Sequence, residues 1–135
     1  MLSEILVGNM GQGGNDAKRT VFVTPKLLDD PAQFPMFLSQ CYNLDASSNG
    51  LYTRGVAWML ASDRTMFYNH TLNPNARSCL NGLSGFLGAI SAGSMHGNQV
   101  NCVFADGHTE VVKESIAART WRALGTRSGG EVISD

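Results

Sequence analysis

The sequence is short of charge. Lys and Arg number 10 and Asp and Glu 11 in 135 residues, a net charge of −1. The basic residues are scattered, and their densest stretch, "RTWRALGTR", is too sparse to form the basic stripe that tracks phosphates, so a nucleic-acid partner is excluded. Long apolar runs are also missing. Nothing approaches the roughly 18 residues of a membrane span, so none is expected. "MLSEILVGNMGQ" lacks a basic start and carries an acid at position 4, unlike a signal peptide. Cysteine is sparse, at 41, 79 and 102, with no C-x-x-C pair, which fits neither a disulfide framework nor a zinc cluster. No G-x-S-x-G elbow and no D-x-D-x-D-G loop occurs, so neither a hydrolase nucleophile nor an EF-type calcium loop is announced. Aromatics make up only 8%.

What is present is turn chemistry and alternation. Fifteen Gly, together with many Asn and Ser, point to short elements joined by many turns. The length and an apolar content of 43% suit a single domain over 1–135. "SEILVGNM" (3–10) and "RTVFVT" (19–24) read as strands. "DPAQFPMFLSQCYNL" reads as a helix capped by Asp30 with Pro31 in its first turn, and Phe34, Leu38 and Cys41 fall on one face. "LYTRGVAWMLA" (51–61) reads as a strand interrupted at Gly55, and "TMFYNHT" as another. Five Gly and a Pro make 72–97 read as a long packed loop. "SIAARTWRAL" reads as a second helix with Ile116, Trp121 and Leu124 near one face, closed by Gly125. The tail after it reads as a turn and an edge strand. The fold class is α+β, dominated by antiparallel β-structure, with two short helices.

The most informative stretch is "SMHGNQVNCVFADGHTEVV" (94–112). Asp106-Gly107 between alternating runs predicts a β-hairpin with a two-residue turn. Ala105 then faces His108, Phe104 faces Thr109 and Cys102 faces Val111. The core side carries Val100, Cys102, Phe104 and Val111, and the other side Asn101, Val103, His108, Glu110 and Val112. A strand rises about 3.3 Å per residue, so 99–105 hold the turn roughly 20 Å from His96. His96 and Asp106 therefore cannot share a metal or a proton. Asp106 reads as a turn residue and His96 as a loop residue that hydrogen-bonds backbone.

His, nine residues, then Asp-Gly resembles the prepilin-type H-x(9)-D-G family, domain of unknown function 1559, expanded in Planctomycetes and their relatives. The resemblance extends further. "SEILVGN" is similar to the family's "SNTLLVGE", "LNPNARSC" to its "PPN...SC", "GAISAGSMHGNQVNCVFADGHTEVV" to its "SASSxHPGGVNVLFADGSVRFV", and "SIAARTWRALGTRSGGEVIS" to its C-terminal signature. Residues 1–10 and 50–134 match; Gly97-Asn98 and Asn9 depart from the usual Pro-Gly and Glu. The resemblance implies a non-enzymatic, type IV pilin-like or type II secretion pseudopilin-like head domain. Full-length members begin with a prepilin cleavage motif and a long apolar helix; this sequence has neither and reads as a head fragment or a stalkless member.

The resemblance also implies an extracellular, periplasmic or cell-envelope location, self or other pilin-like subunits as partners, and no cofactor. Calcium, which pseudopilins often carry, is the one metal it raises. The alternative is a surface-displayed module for polysaccharide or another ligand, with Tyr52, Trp58, Tyr68 and Trp121 as candidate platform residues. "NHT" (69–71) matches a glycosylation acceptor. In an oxidising compartment the cysteines tend to pair. Cys102 faces the core on the hairpin, whereas Cys41 and Cys79 lie where the chain adapts, so Cys41–Cys79 is the expected disulfide, with Cys102 free.

Overall fold

Two sheets and two short helices build the chain in a computed structural model that describes residues 1–8, 16–25, 30–45, 50–57, 59, 67–83 and 88–126. The elements run β1 (Leu2–Ser3), β2 (Val21–Thr24), α1 (Phe34–Asn43), β3 (Gly50–Leu51), β4 (Ser78–Asn81), β5 (Gly88–Ala89), β6 (Gln99–Val103), β7 (Thr109–Lys113) and α2 (Ala118–Leu124). The fold is α+β. The smaller sheet is antiparallel in the order β1-β6-β7, and the larger has the order β3-β2-β4-β5. No helix of the described residues is long and apolar enough to cross a membrane.

The larger sheet departs from an all-antiparallel reading at its centre. β2 and β4 pair in parallel, Val21 opposite Ser78 through Thr24 opposite Asn81. A parallel pair needs a crossover, and here α1 and β3 lie within it. Segment 72–97, read from its glycines as a loop, thus contributes β4 and β5, and β4 is buried at every residue. The N-terminal strand is shorter than expected, as is the one beginning at Leu51, and 67–71 is irregular. The expected C-terminal edge strand lies outside the described residues.

α1 is entered through a turn of 3₁₀ helix, Pro31–Gln33, with Asp30 accepting a hydrogen bond from Ala32 N at 2.9 Å. Phe37 and Cys41, one helical turn apart, are buried against Phe22, Leu72, Cys79 and Ala89, while Phe34 is left partly outside. A second cluster lies under the smaller sheet, where Val100, Cys102 and Val112 pack with Ala92 and Trp121. Half-buried Ile116 and Leu124 pack against it from the ends of the α2 region. Tyr68 joins this cluster to a third formed by Val21, Leu80 and Ile90.

Arg54 sits between these layers, 2% exposed. It donates to Lys18 O at 3.4 Å, to Ser78 Oγ at 3.3 Å and to the Ser91 carbonyl. Its own carbonyl accepts from Gly8 N at 2.7 Å. Four distant segments are thereby tied to one residue. Burial pushes the guanidinium down to about 10, so it remains cationic at neutral pH. Among the described residues its Nε has no partner.

Candidate functional site

The hairpin forms, with a longer loop than the Asp-Gly pair suggested. Gln99 faces Lys113, Val100 faces Val112, Cys102 faces Glu110 and Val103 faces Thr109. The loop is Ala105-Asp106-Gly107, closed by Phe104 N to His108 O at 2.9 Å and Gly107 N to Phe104 O at 3.0 Å. Only Gly107 of these has positive φ, +89°, as in a three-residue loop that ends in a left-handed residue. The extra residue moves the register by one, and a one-residue slip exchanges the faces of the second strand. The core side is therefore Val100, Cys102 and Val112, with Phe104 half-buried, and Val111 turns outward.

The family-motif residues stay apart. Asp106 pairs with His108, Oδ1 to Nδ1 at 2.6 Å, and accepts from His108 N at 3.2 Å. Those bonds, the backbone one first, hold its carboxyl below the ordinary range. The His108 ring stacks on Phe104 at 4.3 Å. His96 lies in the exposed loop before β6, and it is its backbone amide that bonds, to Ser94 Oγ at 3.1 Å. Its ring has no hydrogen-bond partner among the described residues, which corrects the expectation that the imidazole ties down backbone. Among the described residues no three His, Cys, Asp or Glu side chains gather as metal ligands. A Cβ at Gly107 would meet nothing within 4 Å, so the motif glycine is required by its φ alone. Gly107→Val is expected to destabilise by about 1 to 2 kcal/mol, and His96→Ala by less than about 0.5. Urea titrations of the two variants check this ordering.

Two surface features remain as candidates. The first is the outer face of the smaller sheet, where Leu2 lies opposite Val103 on adjacent strands and Asn101 opposite Val111. Leu2 is 72% exposed, Val103 40% and Val111 51%. These three form a diagonal apolar stripe across β1, β6 and β7, and none of the described residues forms a layer over it.

The second is a cleft of about 640 Å³ lined by Met1, Phe34, Tyr68, Asn69, His70, Thr71, Arg122, Gly125 and Thr126. Its floor is aromatic. The His70 ring stacks on buried Trp121 at 4.1 Å and lies 5.4 Å from Tyr68. A side chain at Gly125 would overlap the imidazole, so a glycine there lets the end of α2 close over His70. His70 Nδ1 lies 2.7 Å from Trp121 O. A carbonyl only accepts, so Nδ1 carries the proton and Nε2 is an acceptor. Burial holds this imidazole below its ordinary pKa, in the neutral form at pH 7. Burial likewise pushes the Tyr68 hydroxyl up to about 12. At the rim Arg122 spends one edge of its guanidinium on Thr71 O, Nε at 3.4 Å and Nη2 at 3.3 Å.

Of the described aromatics singled out from sequence, Tyr68 lines this cleft. Trp121 is fully buried and donates Nε1 to Leu72 O at 2.8 Å, and Trp58 lies outside the described residues. Tyr52, half-buried, is not among the lining residues. Phe34, His70 and Arg122 were missed; the mixture of ring and cation is assembled from three segments far apart in sequence. Asn69 of the "NHT" triplet has its amide in use, donating to Gly88 O at 2.7 Å and accepting from Thr71 N and Ile90 N. Comparison of the chain with protein-family models, with curated proteins and with solved structures finds no match.

Proposed function

We propose that the chain is the non-enzymatic head of a pilin-like or pseudopilin-like subunit, a structural component of an envelope-associated or extracellular assembly. The observation that carries this reading is the exposed stripe of Leu2, Val103 and Val111 on the sheet that contains the His-x9-Asp-Gly hairpin. Adjacent exposed apolar side chains on one sheet face favour contact with another protein surface. The occupant we assign is a neighbouring subunit of the same fold. The size of the face supports that choice. Two strands of five residues and one of two make roughly 190 Å², against about 800 Å² per partner in a stable complex. Such a contact is too small to hold two free heads together and suits heads already held side by side. The Cys41–Cys79 disulfide, with Cys102 as the buried free thiol, supports an oxidising compartment.

The purified chain is expected to be monomeric by light scattering. A photo-crosslinking residue in place of Val111, introduced into the protein in its native cells, is expected to capture another copy or another subunit of this fold. Stable oligomers of the isolated chain, or a protein found in the cytosol that yields no such adduct, would overturn the reading.

A further inference from the structure

We propose that the cleft between Phe34, Tyr68, His70 and Arg122 binds an acidic saccharide, with Arg122 holding the sugar carboxylate and the rings taking the apolar face of the pyranose. The site goes beyond the assembly role, because a head that never assembles could still bind a glycan there.

Charge is the first argument. Among the described lining residues there is no carboxylate, and Arg122 is the ionised side chain once His70 is held neutral. Arg122 is also oriented. Its Nε–Nη2 edge grips Thr71 O, which leaves the Nη1–Nη2 edge as a fork that matches a carboxylate bidentately. One fork from one arginine suits a singly charged carboxylate better than a doubly charged phosphate.

The lining supplies the second argument. Phe34 is 39% exposed, and Tyr68 and His70 are half-buried beside it, so apolar ring surface meets water where a stacked sugar would displace it. Thr71 and the acceptor nitrogen of His70 supply partners for hydroxyl groups. The volume lies within the range of small-ligand pockets.

The third argument separates a saccharide from a peptide. A peptide docking as an added strand needs a run of free backbone groups, and four amides of the cleft lining are engaged. Asn69 N bonds Ile90 O at 2.8 Å, Gly125 N bonds Arg122 O at 3.0 Å and Thr126 N bonds Ala123 O at 3.1 Å. Thr71 N bonds Asn69 Oδ1 at 3.3 Å. The cleft offers side chains and rings, not a strand edge.

The test is an NMR titration of the ¹⁵N-labelled full chain with trigalacturonate, with cellotriose as the neutral counterpart. Acetate and a tripeptide with a free C-terminus serve as carboxylate controls. Trigalacturonate is expected to shift the amides of 69–71 and 122–126 and to bind about tenfold more tightly than cellotriose, the ratio expected from one charge-assisted pair. Arg122→Gln should remove that preference while keeping the weak neutral binding. Phe34→Ala should weaken both sugars. Both side chains are exposed, and an unchanged spectrum outside the cleft confirms that each variant folds. No shifts at millimolar trigalacturonate would overturn the proposal, as would equal binding of cellotriose. Acetate or the tripeptide matching the trisaccharide would likewise overturn it, showing a carboxylate site with no selectivity for sugar.

Discussion

Replacing Arg54 with alanine is expected to lower the stability of the fold by about 3 to 5 kcal/mol, one of the largest losses any single substitution should cause here. Two effects compete. A buried guanidinium without a carboxylate carries a desolvation cost, and burial has lowered its pKa accordingly. Against that, its removal strands the buried carbonyl of Ser91 and the partly buried one of Lys18. A buried acceptor left bare costs about 1 to 3 kcal/mol, and hydrogen bonds to a charged donor are worth about 1.5 to 3 each. The alanine variant adds a cavity the size of the lost stem, so the losses win. Arg54→Met fills that space and removes the charge, leaving only the bare acceptors, and should lose about 2 kcal/mol. Urea unfolding followed by the fluorescence of buried Trp121 measures both, and the alanine midpoint should fall by about 2 M. If both variants stay within about 0.5 kcal/mol of the parent, Arg54 is not the tie between these segments.

Arg54 also marks where the sequence stops being legible. Nothing in "LYTRGVAW" separates a buried arginine from a solvated one, because the signal is a set of carbonyls brought together by the whole fold. β4 was hidden for a related reason. "SCLN" has neither alternation nor β-branched residues, yet it lies buried in the larger sheet because Ser78 Oγ accepts from Arg54 and from Ser91 N at 3.1 Å. Once the hidden arginine satisfies the polar side chain, the strand can sit in the core. The hairpin was legible because two alternating runs flank Asp-Gly, but that pair serves both two- and three-residue loops. The choice decided whether Val111 or Val112 faces the core, and with it the composition of the outer face. At α1 the cap and the proline were legible, and the 3₁₀ turn they introduce was not. Phe37 is buried and Phe34, the first residue of the α-helix, is left partly outside to line the cleft, a difference that the spacing of apolar residues does not encode.

Loss of the Cys41–Cys79 disulfide should cost about 3 to 4 kcal/mol, the loop-closure entropy of a 38-residue separation. Location argues that this cost is realised. Cys41 lies in α1 and Cys79 in β4, both fully buried, with Cα atoms 5.9 Å apart, inside the range that a bridge spans without moving backbone. Arg77, two residues before Cys79, donates to the carbonyls of Cys41 at 3.4 Å and of Leu44 at 2.5 Å, so the helix end is already tied to this strand. The bridge therefore closes on a contact that the fold makes anyway, and little native strain offsets the entropy removed from the unfolded chain. The paired substitution Cys41→Ala with Cys79→Ala should lower Tm by about 10 to 15 °C. Cys102→Ala should cost about 1 kcal/mol, the price of a small hydrophobe in a packed site. Alkylation of protein isolated from its native compartment, denatured without reductant, should label Cys102 alone, and peptide mapping should recover Cys41 joined to Cys79. Three labelled thiols would mean that the chain matures in a reducing compartment and would remove that support for an extracytoplasmic head. A bridge containing Cys102 would require β6 to turn its inward face out, and the register of the hairpin would then be wrong.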